Sequence, residues 1–154
     1  SRPVVVGLGN LLMGDEGIGV RIAQLLQEQF PELPADVHEI GTGTGGLLGL
    51  LQNRRLAVIV DCAYMETEPG KMVWFTPEQV RDRKQQFRWS LHHGSVLESL
   101  ELARRLGCAP ERTLIAGIQP HTVKPGIGLS PELESRLEDY AREVAGKLRS
   151  EVDS

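Results

Sequence analysis

The stretch that decides the fold is Val4-Val5-Val6-Gly7-Leu8-Gly9-Asn10-Leu11-Leu12-Met13-Gly14-Asp15-Glu16-Gly17. An apolar run suited to a buried strand ends in a glycine-rich turn, and the turn delivers two acids to the start of a helix. Glycine reaches positive φ without a Cβ penalty and lets the backbone approach a neighbour or ligand closely. Asp15 and Glu16 fall in the first helical turn, where the positive end of the helix dipole stabilises negative charge. A phosphate-binding loop keeps acids away from that place, because the helix N-terminus is itself the anion site. The loop therefore reads as one built to meet a cation or a positively charged group. Taken locally, Asp15 reads as a plain N-cap and Glu16 as an acid matched to the dipole.

Working outward, the pattern alternates strand and helix. Strand is expected over 3–9, helix over 15–30 with Ile18, Ile22, Leu25 and Leu26 on one face, and a short strand over 37–40. Pro31 and Pro34 end the first helix. A second glycine-rich turn, Gly41-Thr42-Gly43-Thr44-Gly45-Gly46, leads into a short helix over 47–53. The run Leu56 to Cys62 is apolar throughout save Asp61, as strands buried on both faces of a parallel sheet are. Strand is expected again over 71–75, too soon after its predecessor for a helical crossover and so antiparallel or at an edge. The polar stretch 76–91 reads as irregular, a candidate flap. Helix over 95–106, strand over 113–118, a Pro/Gly-rich loop and a terminal helix over 130–149 complete the order, with Ser130-Pro131 as cap and first helical residue. This order implies an α/β fold: a single-domain three-layer sandwich spanning 1–154, with a mostly parallel sheet of about five strands and helices on both faces.

Composition fits one such domain. A chain of 154 residues buries roughly 70% of its unfolded surface and needs no disulfide or structural metal to fold. The net charge of −4 and pI near 5.6 weigh against a nucleic-acid partner. Cys62 and Cys108 form no CxxC pair, in keeping with a reducing compartment. No apolar run is long enough to insert into a membrane, and no signal-peptide pattern opens the sequence. A cytoplasmic location is the expectation.

Ligands of open α/β sheets bind at the carboxyl ends of the strands. Glu16 follows the first strand there, Asp61 ends Val58-Ile59-Val60-Asp61, and His92 or His93 in Ser90-Leu91-His92-His93-Gly94 precedes a helix. Two carboxylates and an imidazole make an open O/O/N donor set, one that suits nickel, zinc or iron without choosing among them. The local pattern does not separate His92 from His93. Asp61 has an ordinary reading as a loop hydrogen-bond acceptor. Cys62 reads as a small buried hydrophobe, and His38 as a strand surface residue. His121 sits in a loop. Ser90, a histidine and Asp61 supply the residue types of a hydrolytic triad, but no GxSxG elbow is present and two neighbours in one loop rarely achieve that geometry.

Together these motifs resemble the nickel–iron hydrogenase maturation endopeptidases. The resemblance is carried by Val6-Gly7-Leu8-Gly9-Asn10 through Asp15-Glu16-Gly17-Ile18-Gly19-Val20, then Gly43-Thr44-Gly45-Gly46, Val58 to Asp61, Ser90 to Gly94, and Gly117-Ile118-Gln119-Pro120 through Gly128-Leu129-Ser130-Pro131. It implies a hydrolase that removes the C-terminal extension of a hydrogenase large-subunit precursor once nickel is in place. It also implies a metal-contacting and catalytic triad of Glu16, Asp61 and His92, with His92 preferred because it follows a short Ser-x lead-in. The nickel is then supplied by the substrate, and no tightly held cofactor of the protein's own is expected. One departure stands out: many members open the second glycine motif with Asp, where this chain has Gly41. The backbone of Thr42, Gly43 and Thr44 is a candidate tail-binding element, though a tight turn accounts for the glycines equally well.

Other readings compete. A non-catalytic factor that binds the precursor would carry the same motifs. A peptidyl-tRNA hydrolase-like esterase shares the Gly-Leu-Gly-Asn opening, but here Leu11-Leu12-Met13 follows and no histidine precedes His38. A dinucleotide-binding module would need a third glycine and would be repelled by Asp15 and Glu16.

Overall fold

The computed structural model describes residues 2–41, 46–83, 86–89 and 93–154. Its strands are β1 (Val4–Leu8), β2 (Asp36–Ile40), β3 (Ala57–Tyr64), β4 (Met72–Phe75), β5 (Arg88–Trp89) and β6 (Thr113–Ile118). Its helices are α1 (Ile18–Gln29), α2 (Leu47–Leu51), α3 (Pro77–Asp82), α4 (His93–Arg105), α5 (Pro131–Glu134) and α6 (Leu137–Val152), with a 3₁₀ turn at Gly14–Gly17 before α1. The sheet runs β2-β1-β3-β6-β4. The first four are parallel, β4 lies antiparallel on β6 at the edge, and β5 pairs antiparallel with the end of β3. The α/β sandwich and the antiparallel edge strand match expectation, with six strands where about five were expected.

Period-two alternation divides each central strand between two cores. Val5, Val58, Val60 and Cys62 face Ile18, Ile22 and Leu26 of α1 and Ala141, Val144 and Leu148 of α6. Val4, Val6, Leu8 and Ile59 face Leu47 and Leu51 of α2, Val80 of α3 and Val96 of α4. Burial of each such side chain stabilises the fold by about 1.5–3 kcal/mol, so β1 and β3 form its most firmly held part. Those two strands position the site.

The glycines of the opening motif serve the chain's own packing. A Cβ on Gly7 would lie 2.1 Å from the Gly19 carbonyl oxygen, and one on Gly19 would lie 2.3 Å from the carbonyls of Leu8 and Val60. Close approach of α1 to β1 and β3 is therefore what these two positions supply. Gly9, at φ +152°, turns the chain so that Asn10 N donates to Glu16 O at 3.0 Å.

Two expectations need correction. The stretch 76–91 is not irregular throughout. Thr76 caps α3 with a full capping box, its hydroxyl accepting from Gln79 N while Gln79 reaches back to Thr76 N, and Pro77 sits at the first helical position. The terminal helix is two helices: α5 stops at Glu134, and Arg136, at φ −104° and ψ 2°, separates it from α6. Ser130 caps α5 as expected, accepting from Leu133 N.

Candidate functional site

The site is assembled at the carboxyl edge of β1 and β3. Gly7 is paired with Val60, so Asp61 lies one residue beyond that ladder and level with the end of β1. The 3₁₀ turn carrying Glu16 packs against β3. Topology thus brings Glu16 and Asp61 to one end of two neighbouring strands, from opposite faces: the turn leads into α1 on one side, and Asp61 points with Ile59 and Ala63 toward the other.

Asp15 does not behave as an N-cap. The 3₁₀ turn has no side-chain cap, and Asp15 is 0% exposed. Its carboxylate reaches across the chain instead. Oδ2 accepts from His121 N at 2.9 Å, Thr122 N at 2.8 Å and Ser130 Oγ at 2.8 Å, while Oδ1 accepts from Ser130 N at 2.7 Å. Backbone bonds from Asp15 N to Thr122 O, Gly14 N to Gly126 O and Gly126 N to Leu12 O add to the seam. A buried carboxylate satisfied by four donors fixes the long 119–130 loop to the turn that presents Glu16.

Glu16 is half-buried, and its Oε2 accepts from the Tyr64 hydroxyl at 2.5 Å. Burial, and then the bond to Glu16, pushes the Tyr64 phenol well above its ordinary value, so it stays a donor. The Arg88 guanidinium stacks over the Tyr64 ring at 4.3 Å. Tyr64 and Arg88 were missed by sequence reasoning, which ended the strand at Cys62. Only its extension to Tyr64 and the pairing with β5 bring them into the site.

Asp61 is 2% exposed, and its Oδ1 accepts from Cys62 N at 2.8 Å. It lines a cavity of about 10 Å³ with Leu8, Ile59, Val80, Trp89, Val96 and Ile115, room for about one water. Among the described residues the buried Trp89 indole N–H has no hydrogen-bond partner. Cys62 is a buried hydrophobe, as expected. Burial first, then the negative charge of Asp61, Glu16 and Asp15, drives its thiol upward and leaves it inert.

His92 lies outside the described residues, as do Ser90 and Thr42 to Thr44. The chain leaves the described region at Trp89, which pairs with Ala63 two residues past Asp61, and resumes at His93, the first residue of α4. Among the described residues no third donor joins Glu16 and Asp61 in a metal-binding group. His38 is exposed on β2. His121 also sits at the surface, its Nδ1 2.7 Å from Thr122 Oγ1 and 3.0 Å from Glu132.

A family model described as hydrogenase maturation protease matches residues 20–147. The chain belongs to the hydrogenase maturation protease family. It is 33% identical over 151 residues to the hydrogenase 2 maturation protease of Escherichia coli K12, covering 96% of this chain and 91% of that one. The structure of the hydrogenase maturating endopeptidase HybD from E. coli superposes with a TM-score of 0.85 at 29% identity, covering 98% and 94% of the two chains. The [NiFe] hydrogenase maturation protease HybD from Thermococcus kodakarensis superposes with a TM-score of 0.78 at 28% identity, covering 96% and 99%. Membership makes this maturation protease a hydrolase of peptide bonds and sets aside the esterase and dinucleotide readings. Among the described residues no helix is long and apolar enough to cross a membrane.

Proposed function

We propose that this maturation protease removes the C-terminal extension of a nickel-loaded [NiFe] hydrogenase large-subunit precursor, and that Glu16, Asp61 and His92 contact the nickel the substrate carries. The observation that supports the reading is the convergence of Glu16 and Asp61 at the carboxyl edge of adjacent parallel strands, each already oriented by a hydrogen bond from Tyr64 or Cys62. Metal ligands need such outer partners to hold their orientation.

An O/O/N set without a thiolate shell holds a metal weakly by itself. Nickel presented by the precursor completes its coordination with these three side chains, so the complex becomes productive only after metal insertion. Nickel held there would supply Lewis acidity toward the scissile carbonyl or the attacking water, or would serve recognition alone, with Glu16 or Asp61 as the general base. The protein then needs no tightly held metal of its own. The test is intact-mass analysis of the precursor, with and without inserted nickel, after mixing with the protein. Loss of a C-terminal peptide from the nickel-loaded form alone is expected. Cleavage of the nickel-free form would overturn the metal gate, and no cleavage of the loaded form would overturn the substrate assignment.

A further inference from the structure

We infer that Tyr64 is a positioning residue for Glu16: its hydroxyl occupies Glu16 Oε2 and so presents Oε1 alone, in one fixed orientation, to the substrate's nickel. The inference rests on the proposed site and extends it to a residue on the opposite face of β3 from Asp61.

Glu16 lies in the 3₁₀ turn, and its side chain has three rotatable bonds. Ordering such a chain costs on the order of 1.5–2 kcal/mol at the moment of binding unless it is already held. The Tyr64 hydroxyl holds it, through a bond of 2.5 Å in the short range of O–H···O⁻ contacts. Tyr64 is itself fixed on three sides. Its backbone is in β3 and pairs with Arg88, its ring packs against the core beneath α1, and the Arg88 guanidinium covers the ring at 4.3 Å. The same two-residue pairing, Ala63 with Trp89 and Tyr64 with Arg88, precedes the segment that bears His92. One strand end therefore carries Asp61 and fixes Glu16. A carboxylate oxygen that already accepts a short hydrogen bond is the poorer donor to a metal, so Glu16 offers Oε1 as its directed contact, alongside the contacts proposed for Asp61 and His92 and the ligands the precursor brings.

The test is a double-mutant cycle read by Ni²⁺ titration of the free protein, using Tyr64→Phe, Glu16→Gln and the double variant. Phe keeps the ring, its packing and the Arg88 stack, and matched melting temperatures check that the fold is intact. Loss of an outer-shell partner typically costs 10–100-fold in metal affinity. Tyr64→Phe is expected to weaken Ni²⁺ binding by about 10-fold and to raise KM for the nickel-loaded precursor more than it lowers kcat. In the Glu16→Gln background the same substitution is expected to change Ni²⁺ affinity less than about 2-fold, because its effect passes through the carboxylate. If Glu16→Gln weakens Ni²⁺ binding while Tyr64→Phe leaves it unchanged, or if Tyr64→Phe acts equally in both backgrounds, the positioning role is overturned and the proposed site stands. If Glu16→Gln binds Ni²⁺ as the wild type does, the site assignment itself falls, and the role of Tyr64 falls with it.

Discussion

Asp15 and Glu16 are adjacent acids in one 3₁₀ turn, yet the structure gives them opposite work. Asp15 is fully buried and holds four donors from a loop more than a hundred residues further along the chain. Truncating it strands those donors in the interior, at about 1–3 kcal/mol for each buried group left unpaired. Asp15→Ala is therefore expected to destabilise the protein by at least about 3 kcal/mol, read by urea unfolding. Glu16 is half-buried and accepts one side-chain bond that a glutamine carbonyl also accepts. Glu16→Gln is expected to cost less than about 1 kcal/mol in the same measurement. In the precursor assay the order reverses: Glu16→Gln abolishes processing, the direct consequence of the proposed metal contact. A Glu16→Gln protein as active as wild type would remove Glu16 from the site.

Elements show where local preference and packing disagree. Gly19 and Gly146 both lie inside helices, where alanine is intrinsically favoured by about 1 kcal/mol. A Cβ on Gly19 would drive into the backbone carbonyls of Leu8 and Val60, whereas one on Gly146 meets nothing within 4 Å. Gly146→Ala is expected to stabilise the fold by about 0.5–1 kcal/mol. Gly19→Ala is expected to destabilise it by about 3 kcal/mol, because overpacking against backbone outweighs propensity. Equal shifts in thermal midpoint for the two would refute the close helix–strand contact. The same contest explains what could be read in advance. The buried strands and α1 were legible because apolar runs and helical spacing agree with their packing. The start of α3 was also written in the sequence, as Thr76-Pro77-Glu78-Gln79, but polarity hid it. By contrast β5 has only two residues and exists through its pairing with β3, and the break between α5 and α6 has no glycine or proline to announce it. Glu16 and Asp61 were legible as acids at strand ends. The seam held by Asp15 and the bond from Tyr64 were not, since each joins residues that local patterns cannot relate.

The whole molecule has two poles, set by the parallel sheet. The carboxyl edge carries the candidate site. At the amino edge, Val4 is in register with both Asp36 and Ala57, and Asp36 gathers Arg2 at 2.9 Å and Arg54 at 2.6 Å. Arg54 also donates to the carbonyls of Leu50 and Arg2, so this cluster ties α2, β1, β2 and the entry to β3. The poles are about 13 Å apart, the length of four strand residues. The bond from Arg54, then that from Arg2, holds the Asp36 carboxyl below its ordinary 3.8. A carboxyl lowered on folding contributes stability that is fully present above its unfolded value and is lost as pH falls through its folded value. Asp36 is 38% exposed, which limits the contribution to about 1 kcal/mol or less. Asp36→Asn is thus expected to be slightly less stable than wild type at neutral pH, and the difference is expected to vanish on acidification below 3.8. Urea unfolding along an acid series measures it. Precursor processing at neutral pH is expected to stay at the wild-type rate in Asp36→Asn, because the cluster stabilises the end of the sheet away from the site. A stability gap that widened with acid would mean that the pair does not favour the charged carboxylate. A loss of processing without a loss of folded protein would mean that the amino edge takes part in substrate handling, and the division of the sheet into a structural pole and a chemical pole would fail.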